Sequence, residues 1–167
     1  RVHMDDGGKP APVYGGLQAF YAGVLATSGE GETAARLQES GHAIWKRYGV
    51  LPERYNVANE DVPPGGAYYL LRPELIESAY HLHRLTGDER YTAMGRDYLA
   101  GLISCCRTDS AYAAVEDVRL MTHADSMESF FLTETLKYLY LLFTDDPGFD
   151  LNRAVFTTEA HPLWRTW

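Results

Sequence analysis

Apolar residues recur along the chain every three to four positions, in segments separated by polar or glycine- and proline-rich breaks. The first segment, GGLQAFYAGVLATS, runs from Gly15 to Ser28 and carries Leu17, Phe20, Tyr21, Val24 and Leu25 at helical spacing. The next, GEGETAARLQESGHAIWKRYG, sets Leu37, Ile44 and Trp45 on one side and charges on the other, with Lys46 and Arg47 before a stop at Gly49. It predicts an amphipathic, partly exposed helix. VLPERYNVANEDVPPGGAYY reads as a loop, because two prolines and two glycines in succession, Pro63 to Gly66, preclude regular structure. Pro73 then opens a helix, where its missing N–H costs nothing, and Gly87 ends it after about Thr86. Asp88 caps a further helix in DERYTAMGRDYLAGLISCCRT.

SAYAAVEDVRL has the character of a short strand or hairpin arm. SMESFFLTETLKYLYLLF is the strongest helix, apolar nearly all round, and such a helix is normally buried on all sides. DDPGFD is a turn. RAVFTTEAHPL has strand character, and Pro162 excludes a helix at its end. Five helices with short connections favour antiparallel neighbours, in an α/α arrangement whose inner helices are enclosed by outer ones. No repeat of fixed period is visible. Five helices do not close a toroid of that kind, so the expectation is a piece of a larger domain.

Composition narrows the function. With 167 residues, 46% of them hydrophobic, the chain can bury one sizeable core. A net charge of −8 with no basic run argues against nucleic acid as a partner. No apolar stretch is long enough to span a bilayer, and RVHMDDGGKPAPVYGG lacks the apolar centre of a signal peptide. The two cysteines, Cys105 and Cys106, are adjacent and poorly placed to bond to each other. They read either as free buried thiols or as partners of cysteines elsewhere. No glycosylation sequon occurs.

Acids in apolar surroundings carry the chemistry. Glu74 and Glu77 lie one helical turn apart at the entrance of an otherwise apolar and aromatic helix. A glutamate in the first turn is stabilised as an anion by the helix dipole, which predicts a low pKa for Glu74. Glu134 stands in the most apolar run, where a carboxylate without partners is costly. Plain structural roles are available: a helix-start acid for Glu74, an Arg72–Glu77 ion pair, a Glu134–Lys137 pair, and core packing for Phe130.

Three segments in this order, LRPELIES, MESFFLTETLKYLYLLF and VFTTEAHPL, resemble the C-terminal third of glycoside hydrolase family 47, the class I α-1,2-mannosidases of the secretory pathway. GLQAFYAG and KRYGVLPERYN extend the resemblance over most of the chain. They point to the branch of ER-degradation-enhancing α-mannosidase-like proteins. Ala22 stands where the family usually has proline. Gly16 replaces a histidine of the processing mannosidases that this branch also lacks.

The resemblance implies an all-α fold: residues 1–167 form the C-terminal portion of a single catalytic domain, part of an (α/α)7 toroid with a short β-hairpin element. It implies an inverting hydrolase acting on terminal mannose of high-mannose N-glycans on misfolded glycoproteins, in the endoplasmic reticulum lumen. Glu74 is then the catalytic base. Glu53, Arg72, Glu77, Phe130, Glu134 and Glu159 line the sugar site, with Phe130 stacking on a pyranose ring. Thr158 gives its hydroxyl and carbonyl oxygens to Ca2+, an ion that takes six to eight oxygen ligands including waters. His161 alone among oxygen donors makes a transition metal a poor fit.

The general acid and one further essential acidic residue belong to the N-terminal part of the family's domain, which must be supplied from outside this chain. An oxidoreductase of the protein disulfide isomerase type is an implied partner, with Cys105 or Cys106 as candidate contacts. Two other readings stand beside the enzyme. One is a lectin that uses the same acidic cup without turnover. The other is a helical scaffold with no sugar site, which leaves the acids in apolar helices unexplained.

Overall fold

The computed structural model describes residues 4–8, 12–146, 148, 150 and 152–166. Among the described residues four α-helices, α1 (Tyr21–Thr27), α2 (Gly31–Tyr48), α4 (Arg90–Cys105) and α5 (Leu136–Phe143), all pack against a fifth, α3 (Glu74–Thr86). The sequence of α3 requires such neighbours: Leu75, Ile76, Ser78, Ala79, Tyr80 and Leu82 are all buried. Its ends follow the sequence rules. Pro73 stands at the N-cap, and Gly87 closes the helix in a left-handed conformation, φ 67°, with its N–H on the His83 carbonyl. Asp88 holds the next helix start through a hydrogen bond from Arg90 N to its carboxylate, 2.9 Å.

Buried polar contacts lock the helices in register. The fully buried Gln38 of α2 donates its amide to the Leu75 carbonyl of α3 at 2.9 Å and to Tyr98 Oη of α4 at 3.0 Å. Trp45 stands edge-on to Tyr69 and Tyr98, with centroids 5.5 and 4.9 Å away. Gly101 lets α4 approach the end of α2. A Cβ there would collide with the Gly49 carbonyl oxygen and lie 2.7 Å from Trp45 Nε1.

Three two-stranded antiparallel sheets decorate the helices: β1 (Val13–Gly15) with β2 (Arg54–Asn56), β3 (Val115–Asp117) with β4 (Thr122–His123), and β5 (Ala154–Phe156) with β6 (Pro162–Trp164). The chain is thus helix-rich with three small sheets among the described residues; two of them lie where SAYAAVEDVRL and RAVFTTEAHPL had strand character, and the β1–β2 sheet was not expected. The segment around Arg54 departs from the loop expectation, because Tyr14 and Tyr55 pair across two three-residue strands too short to leave an alternating pattern. The DDPGFD turn holds in its described part, where Gly148 at φ 77° donates to the Asp146 carboxylate; Pro147 and Phe149 lie outside the described residues.

Two helices differ from their predicted form. The GGLQAFYAGVLATS segment is a 3-10 turn (Gly16–Phe20) followed by α1, and its large apolar residues face outward: Leu17, Phe20, Tyr21 and Val24 are 43–55% exposed. The small Ala19, Ala22 and Gly23 face α3 instead. Ser78 fixes this choice by donating to the Ala19 carbonyl at 2.7 Å and accepting from Gly23 N at 2.9 Å, a contact that only a small residue permits. The SMESFFLTETLKYLYLLF run is not one regular helix. It opens with a π-helical turn, Phe131–Thr135, before α5. Among the described residues no helix is long and apolar enough to cross a membrane. Cys105 is half-buried and Cys106 buried, both as free thiols; burial pushes the Cys106 thiol up to about 12.

Candidate active site

The site forms where the entrance of α3 meets the π-helical turn and the β5–β6 hairpin. The N–H groups of Ile76 and Glu77 both donate to the Pro73 carbonyl at 2.8 Å, so the helix winds from the proline onward. Glu74 is its first residue and is only 8% exposed. Its Oε1 lies 3.6 Å from Arg72 Nη1, and its Oε2 is buried without a hydrogen bond. Burial pushes the Glu74 carboxyl up to about 7. The charges of Glu77 and Glu134 add to the rise, while its own backbone N–H and Arg72 oppose it. This corrects the low pKa predicted from the helix dipole, because desolvation outweighs every stabilising partner. A carboxyl that titrates near neutrality is well matched to accepting a proton there.

Arg72 is committed to Glu53. Its Nε and Nη2 donate to the two carboxylate oxygens at 2.6 and 3.0 Å, a bidentate fork. The backbone of Glu53 is itself held on both sides, by Gly16 N donating to its carbonyl and by its own N–H donating to the Tyr68 carbonyl, each at 2.8 Å. The Arg72–Glu77 pair considered from the sequence is therefore not formed. Glu77 instead accepts a hydrogen bond from Tyr138 Oη at 3.0 Å and lies 3.8 Å from His81 Nε2.

Glu134 sits half-buried in the π-helical turn. Desolvation first, then the charges of Glu77 and Glu159, push its carboxyl up to about 7. The Glu134–Lys137 pair is not made either: Lys137 Nζ donates to the Ala160 carbonyl at 2.7 Å. That bond fixes the turn between β5 and β6, which is closed further by Ala160 N on the Thr157 carbonyl and by His161 N on Thr157 Oγ1. Buried Ala160 adopts φ 55°, and Thr158 and Glu159 stand exposed beside it. Neither oxygen of Thr158 takes part in a hydrogen bond among the described residues. Phe130 is half-buried where the π-helical turn begins, while Phe131 is fully buried against Tyr112, centroids 4.9 Å apart.

The structure thus brings most of the sequence-predicted residues into one electrostatic group. The charges of Glu77 and Glu134 bear on Glu74, those of Glu77 and Glu159 bear on Glu134, and Arg72 links Glu74 to Glu53. Among the described residues no three His, Cys, Asp or Glu side chains come together as a metal-holding group. Sequence reasoning missed three neighbours. Tyr138 stands one turn after Glu134, so helical spacing could have flagged it. Thr135 is fully buried. Tyr14 is buried with an unpartnered hydroxyl, its pKa raised by burial and then by the Glu74 charge, and it left no signal in its segment.

Alpha-mannosidase I MNS4 of Arabidopsis thaliana is 42% identical across 97% of this chain, and the match covers 27% of that protein. ER degradation-enhancing alpha-mannosidase-like protein 2 of Homo sapiens is 35% identical across 97% of the chain and is matched over 31% of its own length. The chain therefore spans about a quarter to a third of these relatives. The solved alpha-1,2-mannosidase from Trichoderma reesei superposes with a TM-score of 0.77 at 28% identity, over 95% of this chain and 40% of that one. The model of glycosyl hydrolase family 47 matches residues 2–165, and the chain belongs to that family.

Proposed function

We propose that this chain is the base-bearing, C-terminal portion of an (α/α)7 toroidal α-1,2-mannosidase domain. The complete domain trims terminal mannose from high-mannose N-glycans of misfolded glycoproteins in the endoplasmic reticulum lumen. One observation carries this reading: Glu74 combines a buried, unpartnered oxygen with a carboxyl poised near pH 7, among further acids whose charges the nearby Arg72 does not cancel. In an inverting glycosidase such a carboxylate takes the proton of the attacking water, while a second carboxylic acid protonates the leaving oxygen. Here that second group comes from the part of the domain outside this chain.

Arg72, held by Glu53, and Glu77, held by Tyr138, would bind sugar hydroxyls, and Phe130 would lie against the apolar face of the ring. The free oxygens of Thr158 fit a hard cation, and the acids around Glu134 fit waters on it. Bound there, Ca2+ would orient sugar hydroxyls and offset the charge of the acidic group. A protein disulfide isomerase-type partner would find Cys105 more reachable than the buried Cys106.

A lectin is the second reading, since the acids of the cup bind sugar whether or not a general acid stands opposite. The two separate in one experiment. The complete catalytic domain is incubated with a high-mannose glycan, and bound glycan and free mannose are both measured. Release of mannose supports the enzyme. Saturable binding without release, under any redox condition, supports the lectin.

A further inference from the structure

The turn that leads into α3 holds a conformation its sequence does not favour. Leu71 is fully buried and has φ 62°, in the left-handed region. For a residue with a Cβ this is a strained conformation, and such strain persists only where the surroundings over-determine it. Leu71 immediately precedes Arg72, Pro73 and Glu74, so its backbone angles set where the fork of Arg72 and the carboxylate of Glu74 are aimed.

Thr135 supplies a clamp. Its side chain is fully buried, and its hydroxyl donates to the Leu71 carbonyl at 2.7 Å across 64 residues of sequence. In a regular helix a threonine hydroxyl usually turns back to a carbonyl of its own preceding turn. Here the preceding turn is the π-helical one, Phe131–Thr135, whose extra residue alters the facing of the positions that follow. The same wide turn carries Glu134 beside Glu77. On the other side of Leu71, Tyr69 is pinned by paired backbone bonds to Val115, both 2.8 Å, and its hydroxyl donates to the Arg72 carbonyl at 3.2 Å. The strained residue is therefore gripped from both sides, and only one grip comes from the segment that bears Glu134.

We infer that Thr135 is a positioning residue: its hydroxyl holds the left-handed Leu71 turn and so aligns Arg72 and Glu74 with Glu134 across the sugar site. The π-helical turn thereby serves both halves of the site, placing one carboxylate directly and the other through Thr135. The inference rests on the hydrolase reading for its catalytic consequence but not for its structural one.

The test compares Thr135→Val, which keeps shape and loses the donor, with Thr135→Ser, which keeps the donor. Both are made in the complete catalytic domain. Two readouts are taken: the 15Nε–1H signal of Arg72, whose Nε donates to Glu53 Oε2 at 2.6 Å, and mannose release from an α-1,2-linked mannoside. Thr135→Val is expected to move the Arg72 signal and to lower kcat by about a hundredfold, the scale set by a misplacement near 1 Å. Thr135→Ser should keep the parent signal and kcat within about threefold. A Thr135→Val protein that melts earlier but keeps the parent Arg72 signal and kcat overturns the inference and leaves Thr135 a core residue. Should the parent release no mannose, the Arg72 signal alone decides: a shift in Thr135→Val and none in Thr135→Ser upholds the alignment while the hydrolase reading falls.

Discussion

Replacing Glu74 by glutamine should stabilise the protein. The carboxyl is pushed from an ordinary 4.5 to about 7 by burial. A carboxyl with a raised folded-state pKa binds its proton more tightly in the native state than in the unfolded chain. Its contribution is therefore intact below about pH 4.5 and is lost as pH climbs through about 7. At about 1.4 kcal/mol per pH unit, the gap between the two values amounts to roughly 3 kcal/mol of stability given up above neutrality. Glutamine has nearly the same shape and never ionises, so it avoids that cost. Urea unfolding of the complete catalytic domain, in calcium-free buffer at pH 5 and at pH 8.5, measures the effect. The Glu74→Gln midpoint should lie close to the parent's at pH 5 and well above it at pH 8.5. A difference that does not grow with pH, or a variant less stable than the parent at pH 8.5, would refute the claim that desolvation dominates at Glu74. Stability sacrificed at a catalytic group is a common trade in enzymes.

Gly101→Ala forces a Cβ into the Gly49 backbone and against the Trp45 ring, and should cost about 2 kcal/mol or more in urea or thermal unfolding, since backbone cannot yield as a side chain can. Glu134→Gln should weaken glycan binding in a direct binding assay while leaving the melting temperature at pH 5 near the parent's, because the raised Glu134 carboxyl is then largely protonated and Lys137 is bonded to Ala160, so no ion pair is lost. Chelation of calcium from the complete domain should lower its melting temperature and its glycan affinity together, as loss of an ion bound only to the native state must. Unchanged melting and affinity would remove Thr158 from the metal site.

The helices were legible where local rules decide. Pro73, Gly87, Asp88 and Gly49 mark real ends, and the acids singled out in apolar surroundings do converge. What stayed hidden depends on contacts distant in sequence. The inward face of α1 was not legible, because the small Ala19, Ala22 and Gly23 are set against α3 by the bonds of Ser78 to Ala19 and Gly23, more than fifty residues away in sequence. The π-helical turn has no sequence period of its own, so SMESFFLTETLKYLYLLF read as one helix and nothing in it marked Thr135. The Glu74 pKa was misjudged because the helix dipole is a local property, whereas desolvation depends on everything folded around the carboxylate. Arg72 was paired with Glu77, its neighbour in sequence, whereas its fork goes to Glu53, a partner that only the fold brings near.

The central claim is that Glu74 is the group in this chain that activates water against a mannoside. The direct measurement is the steady-state hydrolysis of an α-1,2-linked mannoside by the complete catalytic domain and by its Glu74→Gln variant, with the anomer first released followed by NMR and substrate affinity determined alongside. The parent should release β-mannose first, as inversion requires. The variant should lose about two to four orders of magnitude in kcat while its affinity changes far less. A variant that turns over at the parent rate, or a parent that releases α-mannose first, would contradict the assignment of Glu74 as the base of an inverting enzyme.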